Sequence, residues 1–325
     1  MGQRERSRTG HPAAGKGLGR RRTPLPPSVE ACGWMGGVTS VDLHIDALPD
    51  LLERLEAYYD AVPRAAARAE EYGSLTLFVR AGEGFAYYAR PSLAAAPTAA
   101  VTADDVRRVR ARQRELGVPE SFEWVAETTP GLREAVEETG LLVHECPLMV
   151  LDPRAPTPVV PECADGVVLR VVGVDDPVLP SALALLHVAF GEPGTGIGAA
   201  GVAELDEVVR DRAGDRATEL TADRIRRGLT VVAAAVESGR ALCSGRHQPV
   251  GEVSEIVGVG TLPSARRRGL GQALTATLVA DARSRGVRTV FLSAGDEAVA
   301  RIYARLGFRR VGTALIAEPG QPGQD

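Results

Sequence analysis

A short stretch near residue 260 combines the features that binding of a bulky anion requires. An apolar strand pattern ends at Thr261, three arginines follow at residues 266–268, and a helix pattern begins at Leu270. Gly269 and Gly271 have no side chains, so backbone N–H groups at the helix start can approach an anion closely. The arginines add positive charge suited to a diphosphate. The stretch predicts an anion site, although an ordinary helix start with solvated arginines is the alternative interpretation.

A second motif follows one strand and one helix later. Residues 303–308 read Tyr-Ala-Arg-Leu-Gly-Phe, and a Tyr-x-x-Leu-Gly-Phe pattern is expected by chance on the order of once in a thousand such chains. Its position after the glycine turn would let it form a second wall of the same site. With both motifs in place, residues 165–317 resemble the GNAT N-acetyltransferase superfamily.

The resemblance implies acetyl-CoA as the co-substrate. In the family, the Arg-x-x-Gly-x-Gly turn binds the CoA diphosphate, and the strand before it splays from its neighbour to pair with the pantetheine arm as with an added strand. The family tyrosine that faces the CoA sulfur falls on Tyr303. The expected cofactor-binding residues are Val259, Gly260, Thr261, Arg266, Arg267, Arg268, Gly269, Leu270, Gly271, Gln272 and Asp296.

Direct acyl transfer to an amine needs a base for the amine proton and an acid for the departing thiolate. Glu255 is the candidate base, because its spacing to the glycine turn is similar to that of the strand glutamate in histone-acetylating members. The alternative interpretation of Glu255 is an ordinary strand carboxylate that faces solvent. Glu252 and Glu192 are the reserve candidates for the base. Tyr303 is the second candidate catalytic residue. His187 lies in an apolar helical run and is interpreted as structural.

Asp296 departs from the family pattern. Many members carry asparagine at this position, and a carboxylate accepts hydrogen bonds but cannot donate them as an amide does. An N-cap of the following helix is an equally good interpretation of Asp296.

The elements that must position these residues follow from hydrophobic periodicity and turn signals. A glycine-rich loop is predicted at 191–195, and the loop 191–201 carries no chemistry that identifies an acceptor. The predicted strands of this half are 167–172, 229–236, 240–244, 253–261, 289–294 and 308–316, and the predicted helices are 181–190, 215–227, 270–284 and 297–306.

The first half has a similar order of elements. Strands are predicted at 74–80, 84–90, 122–127 and 141–151, with a turn at 81–83, and helices at 51–59, 104–116 and 132–139. When Gly140 is matched with Gly307, residues 122–143 lie beside 289–310 with the same strand, helix and strand order. The pattern predicts an α/β fold of two tandem GNAT-like domains, each a mixed, mostly antiparallel sheet flanked by helices; an independent scaffold domain is the alternative for the first half.

The first half lacks both functional motifs. No Arg/Gln-x-x-Gly-x-Gly precedes its helix 104–116, and Val136 stands where the second half has Tyr303. The first half is therefore interpreted as a degenerate copy, which predicts one acetyl-CoA per chain.

Length and composition suggest two domains, since 325 residues with 44% hydrophobic residues can bury a large core. The predicted organisation is a disordered basic tail at 1–40, a degenerate domain at 41–152, a proline-rich linker at 153–164, a catalytic domain at 165–317 and a flexible tail at 318–325. Because domain junctions often hold ligand pockets, isolated residues 165–325 are expected to bind CoA but lose acceptor turnover.

Several classes of protein are disfavoured. No apolar run approaches the roughly 18 residues of a membrane span, and no signal-peptide stretch is present, so a cytoplasmic protein is expected. The scattered Cys32, Cys146, Cys163 and Cys243 predict free thiols and no metal. The basic tail is interpreted as a disordered segment without a binding role, and a nucleic-acid-binding arm is the alternative.

The expected function is transfer of an acetyl group from acetyl-CoA to a primary amine of a small molecule or peptide. A non-catalytic acyl-CoA sensor or interaction protein is the competing hypothesis. Residues 1–40 carry a net charge of +5 within a chain total of −4, so the rest of the chain carries −9, and this acidic balance mildly favours a cationic amine. The acceptor and the oligomeric state stay open at this stage.

Overall fold

The computed structural model describes residues 48–80, 82, 84, 86–95 and 100–320. The predicted tail at 1–40 and residues 321–325 lie outside this part of the chain. Of the predicted tail at 318–325, Glu318 and Pro319 belong instead to the last strand, where they pair with a neighbouring strand. Within the described ranges, no helix combines the length and the apolar character needed to cross a membrane.

The first half contains three helices and five strands in its described part. They are α1 (Leu48–Arg64), β1 (Ala67–Tyr72), β2 (Leu75–Arg80), β3 (Arg90–Pro91), α2 (Ala103–Leu116), β4 (Phe122–Val125), α3 (Gly131–Glu137) and β5 (Leu141–Leu151). The predicted strand 141–151 and the helices are confirmed, with ends that differ by a few residues for the helices.

The predicted strand 74–80 is confirmed as β2, and it pairs antiparallel with β3 as predicted, but among the described residues of the predicted strand 84–90 only Arg90 belongs to β3. A further hairpin, which was not predicted, joins β1 to β2 through a turn at Gly73, whose φ is +63°. β1 was not predicted because its sequence Ala-Arg-Ala-Glu-Glu-Tyr is mostly polar. The strand lies at a sheet edge, where Glu70 forms an ion pair with Arg112 of α2 at 3.0 Å.

The second half follows the predicted order closely. Its elements are β6 (Val167–Val172), α4 (Leu179–Gly191), α5 (Val202–Asp211), α6 (Arg216–Arg226), β7 (Val231–Glu237), β8 (Arg240–Val250), β9 (Val253–Thr261), α7 (Leu270–Ser284), β10 (Thr289–Ser293), α8 (Glu297–Ala304) and β11 (Phe308–Pro319). The sequence reading did not include α5, and it ended β8 six residues too early.

One mixed sheet of eight strands runs through both halves in the order β4-β11-β5-β10-β9-β8-β7-β6. Only β9 and β10 are parallel among its ladders, as expected for a mostly antiparallel sheet. The two halves exchange their last strands: β5 lies between β10 and β11, and β11 lies between β4 and β5. The tandem prediction is confirmed, but the predicted separate sheets are not, because each half completes its sheet with a strand from the other.

The strand exchange gives the two halves a common core. Helix α1 packs across the shared sheet, where Leu51, Leu55 and Phe291 are fully buried. Tyr58 and Tyr59 of α1 both meet the Phe291 ring edge-on, with ring centroids 5.0 Å and 5.4 Å away. The first half therefore places side chains directly beside β9 and β10 of the second half.

Candidate functional site

Strands β9 and β10 separate where a ligand could enter between them. Their parallel ladder contains three pairs and ends at Phe291 and Glu255. β9 continues to Thr261, paired only with β8 on its other side. The segment 256–261 thus has one open edge, and the expected cofactor-pairing residues Val259 and Gly260 lie on it.

The geometry of the splay has a local cause in a β-bulge. The register between β8 and β9 shifts between Ser244 and Arg246, and Gly258 opposite this shift has a φ of +60°. A residue other than glycine rarely adopts this backbone conformation. The bulge turns β9 away from β10 just beyond Glu255.

Beyond the open edge, the N-terminus of α7 has backbone donors available for an anion. Gly269 has a φ of +77° and no side chain caps this end. The first helical bond runs from the Ala273 N–H to the Gly269 carbonyl, so the N–H groups of Leu270, Gly271 and Gln272 have no partner within the helix. A Cβ at Gly269 would meet nothing within 4 Å. These groups fit the diphosphate that the sequence predicts here.

The Arg266 side chain is already engaged within the protein. Its guanidinium donates to the carbonyl oxygens of Ala189 at 2.8 Å and Gly196 at 3.2 Å, and also to that of Glu192. Arg266 therefore ties the end of α4 and its following loop to the glycine turn. This contact fixes the shape of the turn rather than offering the guanidinium to a ligand.

The other two arginines of the turn differ from each other. Arg268 forms an ion pair with Glu237 at 2.8 Å. Arg267 is exposed, has a φ of +66° and forms no ion pair or hydrogen bond with any described residue. Of the three predicted side chains, Arg267 is the one left available for a phosphate.

Glu255 lies at the point where the two strands part, and two tyrosines from the first half hold it. The Tyr59 hydroxyl lies 3.4 Å from Glu255 Oε1, to which it donates, and 3.3 Å from Ser293 Oγ. The Glu255 N–H donates to the Tyr58 hydroxyl at 3.2 Å, and that hydroxyl donates to the Gln248 carbonyl at 2.7 Å. Burial and the nearby Glu123 raise the pKa of Glu255 well above its ordinary value.

A buried charge cluster of the first half lies next to this glutamate. Arg90 donates to Glu123 at 2.9 Å and to Glu56 at 3.2 Å, and its guanidinium lies 4.2 Å from the Tyr59 ring centroid. Burial raises the pKa of Glu123 despite Arg90. Arg90 pairs with Glu56 and Glu123, and its charge also acts on the nearby Glu255, so carboxyl groups outnumber guanidinium groups here and suit a positively charged amine.

Tyr303 lies on α8 with its ring packed edge-on to Phe308 at a centroid distance of 6.0 Å. Its hydroxyl forms no hydrogen bond with the described residues, and burial raises its pKa, so the phenol keeps its proton near neutral pH.

Asp296 caps the same helix, α8, and accepts a hydrogen bond from the Val299 N–H at 2.7 Å. Its N-cap role is confirmed, and a cofactor contact stays a prediction.

The other candidates lie apart from Glu255. Glu252 is exposed and pairs with Arg288 at 3.2 Å, while Glu192 accepts a hydrogen bond from the Ala200 N–H at 3.0 Å. His187 is exposed to solvent on α4, and partial desolvation of its ring lowers its pKa. Neither reserve base lies in the network that surrounds Glu255.

A Ser-His-Asp row elsewhere in the second half resembles a hydrolase triad. His247 Nδ1 lies 2.9 Å from Ser254 Oγ, and its Nε2 lies 2.9 Å from Asp281 Oδ1. Ser254 is fully buried, so no substrate can reach its hydroxyl and the row is structural.

No group of three His, Cys, Asp or Glu side chains in the described ranges is arranged to hold a metal ion.

Sequence reasoning did not identify Tyr59, Glu123 or Arg90 as members of the site. In the sequence, Tyr59 looks like part of the apolar face of α1, and Glu123 like an ordinary strand carboxylate. Only the strand exchange brings them to Glu255, and no local pattern carries that information.

Comparison with known proteins gives consistent results. Residues 226–308 match the model of the acetyltransferase (GNAT) family. A mycothiol acetyltransferase from Cellulomonas flavigena is 33% identical over 205 residues, which cover 62% of this chain and 57% of that protein. The chain thus spans little more than half the length of this relative.

One solved structure with a TM-score above 0.5 supports the fold. A GCN5-related N-acetyltransferase from Kribbella flavida superposes with a TM-score of 0.58 at 23% identity, covering 83% of this chain and 96% of that one. A tandem GNAT protein from the clavulanic acid biosynthesis pathway gives a TM-score of 0.47 at 17% identity, covering 76% and 79% of the two chains.

Proposed function

We propose that the second half of this chain is a domain of the GNAT acetyltransferase family and that it transfers an acetyl group from acetyl-CoA to a primary amine. The observation that carries the proposal is the end of the β9 and β10 ladder at Glu255. This geometry places a half-buried carboxyl group, an open strand edge and an uncapped helix N-terminus in succession along one path.

The residues along this path fit acetyl-CoA. The open edge of 256–261 supplies backbone groups for an extended chain with amide groups. The free N–H groups at the start of α7 supply donors for a diphosphate. When bound, acetyl-CoA supplies a thioester carbonyl that is activated toward attack by an amine.

Glu255 acts as the base in this proposal. The amine nitrogen forms a bond to the acetyl carbon, the bond from that carbon to sulfur breaks, and the proton released by the amine passes to Glu255. Its raised pKa suits this task, because a base works best when its pKa lies near the operating pH. The Tyr59 hydroxyl orients the carboxylate.

Tyr303 acts as the acid that protonates the departing sulfur. Its raised pKa keeps the phenol protonated until a strong base such as a thiolate forms beside it. The acceptor is proposed to be a small molecule or a peptide whose ammonium group meets the negative cluster of Glu255 and Glu123. Of these two residues, Glu123 comes from the first half of the chain and Glu255 from the second.

The test measures release of the CoA thiol from acetyl-CoA with a panel of primary amines, including the acceptor of the mycothiol acetyltransferase relative. We expect turnover with at least one amine, and at least about a hundredfold loss of it in Glu255→Gln. The matched control is Glu252→Gln, three residues away on the exposed side. Tight CoA binding without release for any amine would favour the acyl-CoA sensor instead.

A further inference from the structure

Two arginines lie on the face of the sheet that carries Glu255. In the ladder between β8 and β9, Gln248 is opposite Glu255 and Arg246 is opposite Val257. Opposite residues of an antiparallel pair point to the same face, so Arg246 and Glu255 are diagonal neighbours there, at roughly 7–8 Å between backbones. Arg224 of α6 reaches the same place, because its Nη2 donates to Gln248 Oε1 at 2.8 Å.

The Arg246 side chain lies over the bulge of β9. A Cβ placed at Gly258 would be 3.7 Å from Arg246 Nε and 3.8 Å from its Nη2. The bulge lies within the open edge of β9, which begins just after Glu255. The guanidinium thus lies beside the reaction centre of the proposed transferase.

Neither arginine has an acidic partner among the described residues. Arg246 forms no ion pair or hydrogen bond there, and Arg224 donates only to neutral oxygens, those of Gln248 and the Leu229 carbonyl. Burial and then the charge of Arg224 lower the pKa of Arg246. Part of the Arg246 surface still meets solvent. Arg246 is thus largely surrounded by protein but still accessible to solvent, as expected for a side chain that lines a cleft.

Such an arrangement is costly for folding alone. Burying a charged group without a partner lowers stability, and a second positive charge nearby adds repulsion. Unfavourable charge of this kind in a cleft is typical of a functional site. The missing partner is an anion, and the guanidinium plane favours a carboxylate or a phosphate bound through two oxygens.

We propose that Arg246 and Arg224 bind an anionic group of the acceptor, a carboxylate or a phosphate, while Glu255 receives its amine. The substrate class is therefore a primary amine that also carries an acidic group a few bonds away. The proposal rests on the function proposed above, since it assigns the acceptor of the same site. The whole chain carries a net charge of −4, so the positive charge of Arg246 and Arg224 is a local feature and not part of a generally basic protein.

The diphosphate of CoA is the competing occupant of Arg246. The proposed diphosphate site at Gly269 lies beyond the far end of the open edge, and the three residue steps from Gly258 to Thr261 alone span roughly 10 Å. A role in CoA binding would lower CoA affinity when Arg246 is replaced. An acceptor role would leave CoA affinity unchanged.

The test uses two matched pairs of amines, namely glycylglycine with glycylglycinamide and glucosamine 6-phosphate with glucosamine. The first pair reports on a carboxylate and the second on a phosphate. We expect the wild-type protein to prefer the acidic member of one pair by at least about tenfold in kcat/KM. Arg246→Met should abolish that preference without changing the dissociation constant of CoA. The control is Arg226→Met, which removes an exposed positive charge from α6.

A binding measurement separates failure of this proposal from failure of the proposed function. Calorimetric titration of the same four amines into the CoA-saturated protein should show tighter binding of the acidic member, lost in Arg246→Met and retained in part in Arg246→Lys. That result supports the anion site even if no amine is acetylated. We expect Arg246→Met to melt at the wild-type temperature or above, since the arginine has no partner to lose. No acidic preference in turnover or binding, or a parallel loss of CoA affinity, would overturn the anion site.

Discussion

At the scale of single residues, the site depends on how neighbouring charges set the protonation of Glu255. In the proposed mechanism this carboxylate must be ionised to accept a proton, so we expect activity to fall as the pH drops through its raised pKa. Glu123 raises that pKa through its negative charge, with burial as the larger cause. Replacing Glu123 by glutamine removes this charge and favours ionisation of Glu255. We expect the acid limb of the kcat/KM profile to move to lower pH in Glu123→Gln.

The control for this shift is Glu145→Gln, which changes an exposed carboxylate on β5 that pairs with Arg133. Its acid limb should coincide with that of the wild type. If the limbs of Glu123→Gln and wild type also coincide, the group that titrates is not Glu255. The profile then reports another base or the amine itself.

Tyr303 offers a second prediction at the same scale. Replacement by phenylalanine keeps the ring packed against Phe308 and removes a hydroxyl without a hydrogen bond to the described residues. We expect an unchanged melting temperature and a fall in kcat of about a hundredfold or more. Tyr72→Phe removes a hydroxyl that donates to Glu70, remote from the site, and serves as the control. Full activity of Tyr303→Phe would assign the acid elsewhere.

At the scale of elements, the glycine turn can be tested by separating backbone strain from anion binding. Gly269→Val forces a β-branched residue to a φ of +77° and puts a side chain where the proposed diphosphate approaches. Gly286→Val imposes a similar strain at a φ of +86° beyond the other end of α7. Neither Cβ would meet a protein atom within 4 Å.

We expect both glycine variants to lose a similar amount of stability, measured by chemical denaturation. Only Gly269→Val should weaken CoA binding, by at least about tenfold, because only this position crowds the free N–H groups at the start of α7. Equal CoA dissociation constants in the two folded variants would remove the glycine turn from the cofactor site.

Most elements of the second half were predictable, because their hydrophobic periodicity and glycine ends are strong local signals. The strands Val167–Val172 and Val253–Thr261 and the helix Leu270–Ser284 have the predicted bounds. The polar edge strand β1 was not predictable in this way, since its mostly polar sequence has no apolar alternation and its position depends on a ladder with β2. The candidate base and acid also followed from local motifs. Their partners from the first half did not, because contacts across nearly 200 residues leave no periodic pattern.

At the scale of the whole molecule, the proposed function predicts that the first half binds no second acetyl-CoA. Thr102 and Asp105 form a capping box at the start of α2, so a carboxylate occupies the position where a diphosphate would need free donors. β3 has only two residues in its ladder with β2. We expect calorimetric titration of the full chain to give one CoA per chain. A stoichiometry near two would contradict the loss of this site.

The shared sheet also changes the expectation for fragments. Residues 165–325 lack β5, which forms the ladders on the facing edges of β10 and β11. Where the sequence alone suggested a CoA-binding fragment, we now expect this piece to fold poorly and to bind CoA weakly. A fragment of residues 139–325 restores β5 and should bind more tightly. Circular dichroism and titration with CoA compare the two, and equal affinity would show that β5 is dispensable.

The exchange of β5 and β11 also fixes when the protein can finish folding during its synthesis. The Thr313 N–H donates to Glu127 from a position 186 residues later in the chain, and β4 has β11 as its ladder partner. The first half therefore cannot fold as a finished unit while the ribosome is still making the second, as tandem domains commonly do. Its nascent sheet stays open, with β4 and β5 lacking a neighbour, until residues 308–319 leave the exit tunnel. The ladders of β4 and β5 with β11 can therefore form only after β11 has been synthesised.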